Sequence, residues 1–251
     1  MADFLGKGGA VGFGIESSYG TVVDATSWFP LRAGSDSINI EREDITIDDI
    51  NRRSADKPNF VVGLRKVTGS LTLDAFYGDG MNEILQCATG SVKTGSGTHT
   101  WTVNDTAAAA SHSLTIYVFR GEAGKCDRYA GCKINSMTIS MDAGAPAEMS
   151  IDFIGRDISQ GVTKAVGSMP GVPSVFAKGS AATAGLDMGF SGVAQSPVYS
   201  FSYTINNNLE ERSSLNAQTI LEPPFGMVEV TAEAEICLLY TSPSPRDRQK
   251  S

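Results

Sequence analysis

Histidine, cysteine, tryptophan and basic residues are all scarce in this chain, and each scarcity removes a class of function. Only two histidines occur among 251 residues, His99 and His112. Each lies in or beside an alternating stretch with no placed nucleophile or carboxylate partner, and Ser111 is merely the neighbour of His112, so acid–base or nucleophilic catalysis has little to stand on. The acids Asp48 and Asp49 sit in a charged loop and read as solvated surface. No enzyme activity is expected. Cys87, Cys126, Cys132 and Cys237 form no CxxC pair and have no histidine nearby, which argues against a zinc site and a disulfide framework. Free thiols are the expected state, although the spacing of Cys126 and Cys132 would suit a small disulfide loop. No cofactor is implied. Trp28 and Trp101 are the only tryptophans, few for a module that stacks sugars on exposed rings, and Phe201 and Tyr203 fit a buried face.

No apolar run approaches the ~20 residues of a membrane helix. The N-terminal Met1-Ala2-Asp3-Phe4-Leu5-Gly6-Lys7 has neither the basic start nor the apolar stretch of a signal peptide, so the protein is expected to stay where it is made. The formal charge is −8. Setting aside residues 238–251, with Arg246, Arg248 and Lys250 against Asp247, leaves 17 basic and 27 acidic residues, a net of −10. Tight contact with nucleic acid is therefore not expected, because such binding rests on Lys and Arg neutralising phosphates.

What the chain does have is alternation. In Val67-Thr68-Gly69-Ser70-Leu71-Thr72-Leu73-Asp74-Ala75 the odd positions are apolar or small and the even ones polar, the mark of a strand with one buried face. Ser37-Ile38-Asn39-Ile40-Glu41 alternates in the same way, and between them runs a polar loop with Asp48, Asp49, Arg52, Arg53, Asp56 and Lys57. The pattern returns 163 positions later: Ser37, Ile38 and Ile40 fall on Ser200, Phe201 and Tyr203, and Gly63, Val67 and Thr68 on Gly226, Val230 and Thr231. With 41% hydrophobic residues the chain can fill one large core or two smaller ones.

The glycine-rich residues 5–34 lack the GxGxxG spacing of a phosphate loop and are read as a flexible arm leading through Trp28-Phe29-Pro30. Asp79 caps a short helix with Met81, Ile84, Leu85 and Ala88 on one stripe and Gly90 at its end. Short strands are expected at 98–103 and 113–119, and a strong hairpin at 137–141 and 147–153. Residues 158–196 are rich in Gly, Ala, Ser and Pro and read as a linker or arm. Residues 237–251 turn abruptly basic and Pro/Ser-rich; they resemble translated adapter sequence and are read as a non-native tail, with the natural chain running on past Ile236.

This order of elements, with the turn-like run Tyr129-Ala130-Gly131-Cys132-Lys133-Ile134-Asn135-Ser136 and the strand Ile151-Asp152-Phe153-Ile154-Gly155, resembles the tail tube proteins of long-tailed bacteriophages. The resemblance implies a mainly β fold, a sandwich or barrel domain with one flanking helix over residues 1–157, followed by a partial second copy over 197–236. It also implies rings whose sheets join around a channel and stack into a tube in the virion tail, assembled in the host cytoplasm, with a tape measure protein and double-stranded DNA as partners in the lumen. A duplicated domain favours a trimeric ring with pseudo-sixfold symmetry over a hexamer of single domains. The loop over residues 41–62 would bridge neighbouring subunits.

The polar strand faces carry Ser37, Asn39, Glu41, Thr68, Ser70, Thr72, Asp74, Thr138, Ser140, Asp142, Glu148, Ser150, Asp152, Ser200, Ser202, Thr204, Asn206, Glu229, Thr231, Glu233 and Glu235. Every charged residue among them is acidic. Such a lining offers phosphates no ion pairs, so Asp74, Glu148, Asp152, Glu229, Glu233 and Glu235 are the lumen-facing candidates. A tube of the contractile injection or type VI secretion kind shares the fold and is the nearest rival, with a tail-tip or adhesive β-module behind it.

Overall fold

The period-2 stretches become strands and the single helical stripe becomes a helix. The computed structural model describes residues 9–31, 35–47, 59–74, 79–92, 95, 100–103, 112–121, 124–142, 145, 147–166 and 198–236. Within them run β1 (Gly9–Ile15), β2 (Ser27–Pro30), β3 (Asp36–Ile47), β4 (Asn59–Asp74), α1 (Asp79–Thr89), β5 (Leu114–Arg120), β6 (Lys125–Asp142), β7 (Glu148–Gly155), β8 (Asp157–Thr163), β9 (Val198–Asn206) and β10 (Glu229–Ile236). The chain is mainly β, with antiparallel pairing between its strands and one short helix, the expected class.

Strand β6 belongs to two sheets at once. Its first half lies between β5 and β8, extending the run β2-β1-β5; its second half lies between β7 and β9, extending the run β3-β4-β7 on one side and reaching β10 on the other. One core fills the space between the two sheets. Val11, Phe13 and Ile116 of the first sheet meet Leu71, Met137, Met149 and Ile151 of the second, all at most 1% exposed. The stripe Met81, Ile84, Cys87 and Ala88 of α1 packs into the same core, and Gly90 ends the helix at φ 70°. Glu83 ties α1 to β2 by accepting hydrogen bonds from the Thr26 and Ser27 hydroxyls.

Five expectations need correction. The glycine-rich arm is, over residues 9–15, a buried strand: Ala10, Val11 and Phe13 are fully covered, and β1 pairs with both β2 and β5. Its glycines serve close approach rather than flexibility. A Cβ on Gly12 would lie 2.8 Å from Ala25 Cβ and 2.9 Å from the Trp28 ring. The turn-like run is no turn; it is the middle of β6, where Gly131 at φ 67° and a bulge between Ile134 and Ser136 carry the strand from one sheet to the other. Of the strand expected at 98–103, the described residues 100–103 contain a single bridge residue, Thr100. The first hairpin is also longer than its alternation indicated, so that residues 41–47 and 59–62 are strand rather than loop, and the chain after Gly155 continues as β8 back along β6.

The bend in β6 is held by a buried acid. Glu16, 2% exposed, accepts hydrogen bonds from Gly20 N at 2.7 Å, Ser113 Oγ at 2.6 Å, Thr115 Oγ1 at 2.8 Å and Gly131 N at 2.9 Å. Four donors replace the water this carboxylate gives up on burial. Cys87, Cys126 and Cys132 are buried free thiols.

Replacing Gly12 by valine should cost about 1–3 kcal/mol by forcing Ala25 and Trp28 apart, seen as a lower midpoint in chemical denaturation. An unchanged midpoint would mean that β1 is not packed as described.

A polar sheet face with two open edges

The second sheet has the strand order β3-β4-β7-β6-β9-β10, each neighbour antiparallel to the next. Residues directly opposite each other on such strands point to the same side. One row therefore crosses the sheet as Ser37, Ser70, Asp152, Ser136, Asn206 and Glu229. The next runs Thr72, Ser150, Thr138, Thr204 and Thr231, and the one beyond it Asp74, Glu148, Ser140, Ser202 and Glu233, with Asp142, Ser200 and Glu235 following on β6, β9 and β10. No apolar and no basic side chain interrupts these rows. The intervening rows hold the core residues, such as Leu71, Ile151, Met137 and Ile205.

Asp74, Glu148, Asp152, Glu229, Glu233 and Glu235 are thus brought onto one face although 161 positions separate the first from the last. Hydroxyls space them. Ser136 Oγ donates to Asp152 Oδ2 at 2.6 Å, Thr138 and Thr204 meet at 3.0 Å across β6 and β9, and Ser200 Oγ approaches Glu235 Oε2 at 3.5 Å. Ser136 completes the first row and shares the alternation of Thr138 and Ser140, since the bulge lies just before it.

At one end of this face stands Lys66, and it is neutralised there. Its Nζ contacts Glu211 at 2.8 Å and Glu41 at 3.1 Å. The hydrogen bond to Glu211 raises the Lys66 pKa, and the hydrogen bond from Lys66 holds Glu41 below the usual carboxylate range. With Glu41 depressed, this contact is complete above the ordinary Glu range and is lost as pH falls through the lowered value.

The segment joining β9 to β10 lies against the first part of the chain. Lys133, fully buried, contacts Glu222 Oε1 at 2.7 Å, donates to Pro223 O at 3.0 Å and stands 4.8 Å from the Phe225 ring centroid. Asn207 Nδ2 donates to Ala88 O at 3.0 Å and Ile134 O at 2.9 Å. Nothing in the alternation pattern marked Lys133 or Asn207; the run Asn206-Asn207-Asn208 at the end of β9 was the available signal, since buried amides come with demanding partners. Among the described residues, neither β3 nor β10 pairs with a strand on its outer side. Asp48, Asp49, Arg52, Arg53, Asp56 and Lys57 lie outside the described residues, as do His99 and Ser111. His112 sits beside Gln86, and burial lowers its pKa. Among the described residues no group of His, Cys, Asp and Glu is placed to hold a metal ion.

A family model described as phage tail tube protein matches residues 6–236. The chain belongs to the phage tail tube protein family. Comparison with curated proteins gave no match. As a tail tube protein it is a structural component of the virion tail that assembles with others into a tube. The match runs through both sheets and both ends of the polar face. Among the described residues of this tail tube protein, no helix is long and apolar enough to cross a membrane.

Replacing Lys133 by alanine should cost about 1–3 kcal/mol through the contacts left unmade. Hydrogen exchange should rise across 207–228 while 148–155 stays protected; uniform exchange across the chain would show that Lys133 does not anchor that segment in particular.

Proposed function

We propose that copies of this tail tube protein close into rings, that the rings stack, and that the polar sheet face lines the resulting channel through which the genome leaves the capsid. The observation that carries this reading is the set of polar rows, the first crossing all six strands and the next two five of them, in which every charge is a carboxylate and every spacer a hydroxyl or amide. Phosphates sliding past such a wall find no cation to pair with. Asp74, Glu148, Asp152, Glu229, Glu233 and Glu235 are the lumen-facing carboxylates in this reading.

The recurrence of the β3–β4 pattern in β9–β10 supports a unit over residues 1–157, to whose sheet β8 adds Asp157–Thr163, that begins again over 197–236. A duplicated unit favours three chains per ring with pseudo-sixfold symmetry, and six chains of single units is the alternative. The segment between β9 and β10 lies on the first unit. By the same arrangement, the loop with Asp48, Asp49, Arg52, Arg53, Asp56 and Lys57 reaches across to the neighbouring subunit. The lumen holds the tape measure protein before ejection and double-stranded DNA during it, and rings form in the host cytoplasm. Residues 237–251 take no part.

Full-length protein viewed by negative-stain microscopy is expected to show rings or tubes with a stained central hole; a monomer at high concentration under all conditions would overturn this function. Replacing Glu229, Glu233 and Glu235 together by lysine should leave assembly intact and slow DNA release several-fold. Ejection at the unaltered rate would take these residues off the channel wall.

A further inference from the structure

We propose that Arg128 and Arg156 form a carboxylate-binding pocket on the far face of the first sheet, and that its occupant is an Asp or Glu side chain of a different protein lying on the outer wall of the tube. The outward placement rests on the tube reading; the pocket itself does not.

The pocket opens between the loop after β1, the first half of β6, the start of β8 and the segment linking β9 to β10. Its volume is about 290 Å³, room for one acidic side chain. Register gives its direction. The row Trp28, Gly12, Tyr117, Arg128, Ser159 crosses β2, β1, β5, β6 and β8, and residues directly opposite each other point to the same side. Trp28 and Tyr117 form a small apolar cluster with Ala10 and Cys126, apart from the core between the sheets. The next row, Ile116, Tyr129 and Ile158, turns into that core. Arg128 and Ser159 therefore face away from the second sheet.

Both arginines are held in place and left without a counter-charge. Arg128 Nη2 donates to Ser159 Oγ at 3.1 Å, while its Nε is buried with no partner. Arg156 Nε donates to Thr219 Oγ1 at 3.3 Å, and its guanidinium lies 6.0 Å from the Tyr19 ring centroid. Gly20, at φ 77°, makes room for that guanidinium, since a Cβ there would lie 2.6 Å from Arg156 Nη1. Among the described residues no carboxylate pairs with either arginine. The nearby acids are already engaged: Asp157 by Arg65 at 2.6 Å, Asp24 by Lys164 at 2.6 Å, and Glu16 by its four donors. Burial raises the Tyr19 pKa, so its hydroxyl stays protonated and supplies no negative charge.

Two cations lining one small cavity repel each other, and a buried N–H without an acceptor costs free energy. An oxyanion between them relieves both. The guanidinium fork matches a planar carboxylate through paired N–H···O bonds. A phosphate could use the same donors, but the genome in the proposed tube runs on the other side of both sheets. Copies of this chain lie beside and above one another in such a tube. What reaches an outward pocket is another protein.

The test uses tubes of the full-length protein and an end-blocked hexaglutamate peptide, with binding followed by titration calorimetry. One peptide should bind per chain, and Arg128→Gln or Arg156→Gln should weaken binding by about tenfold or more while tubes form and the denaturant midpoint is unchanged. Arg128→Lys, which keeps the charge and loses the fork, should weaken it too, and carries the test if a glutamine variant does not fold. Absence of saturable binding, or affinity unchanged in these variants, overturns the pocket. Inorganic phosphate binding as tightly as the peptide overturns the choice of a carboxylate. Loss of tubes in a variant that folds normally places a copy of this chain in the site and overturns the outer partner. If the unaltered protein forms no rings while its separate chains bind the peptide, the tube reading fails together with the outward placement, and the pocket stands.

Discussion

Everything in this molecule depends on one strand being used four times. β6 has neighbours on both edges in both of its halves, β5 and β8 first, β7 and β9 afterwards, so the two sheets cannot move apart without breaking the strand that builds them. Such sharing is possible only if the strand changes direction while keeping its backbone groups paired. Gly131 and the bulge before Ser136 supply the change of direction, and the four donors around Glu16 hold it in place. The apolar rows then close on a single core, and what remains outward on the second sheet is polar by necessity of the period-2 repeat.

The proposed conduit follows from that remainder. A half-buried antiparallel sheet always has a solvated face, so a polar face alone says little. Its composition is more informative: in a chain with 20 basic residues, the rows from Ser37 to Glu229 and from Thr72 to Glu235 hold carboxylates, hydroxyls and the one amide of Asn206, and the lysine at their margin is occupied by Glu41 and Glu211. Membership of the tail tube family gives such a face a reason.

Much of this was legible in the sequence where the cause is local. Alternation placed β4, β6, β7, β9 and β10, and the stripe from Met81 to Ala88 placed α1, because burial of one face dictates the residue types directly. The candidate carboxylates could be chosen strand by strand for the same reason. What escaped depended on partners far along the chain. β1 reads as a loose glycine-rich arm until Ala25 and Trp28 are seen to occupy the space a side chain would need beside Gly12. The run around Gly131 reads as turn-like because glycine usually marks a turn, whereas here pairing of the residues before it with both β5 and β8 makes it a bend inside a continuing strand.

The acidic rows have one more consequence in the proposed tube. Carboxylates set along neighbouring strands with no fixed cation among them gather mobile counterions from solution. A duplex in the channel would then ride against an exchangeable film of small cations, shared between wall and phosphates, rather than against the protein itself. Monovalent ions in that film act as a lubricant. A divalent ion would coordinate a phosphate and a carboxylate together and turn the same wall into a brake, so in the proposed tube the ionic composition of the channel would set the friction that a passing duplex meets.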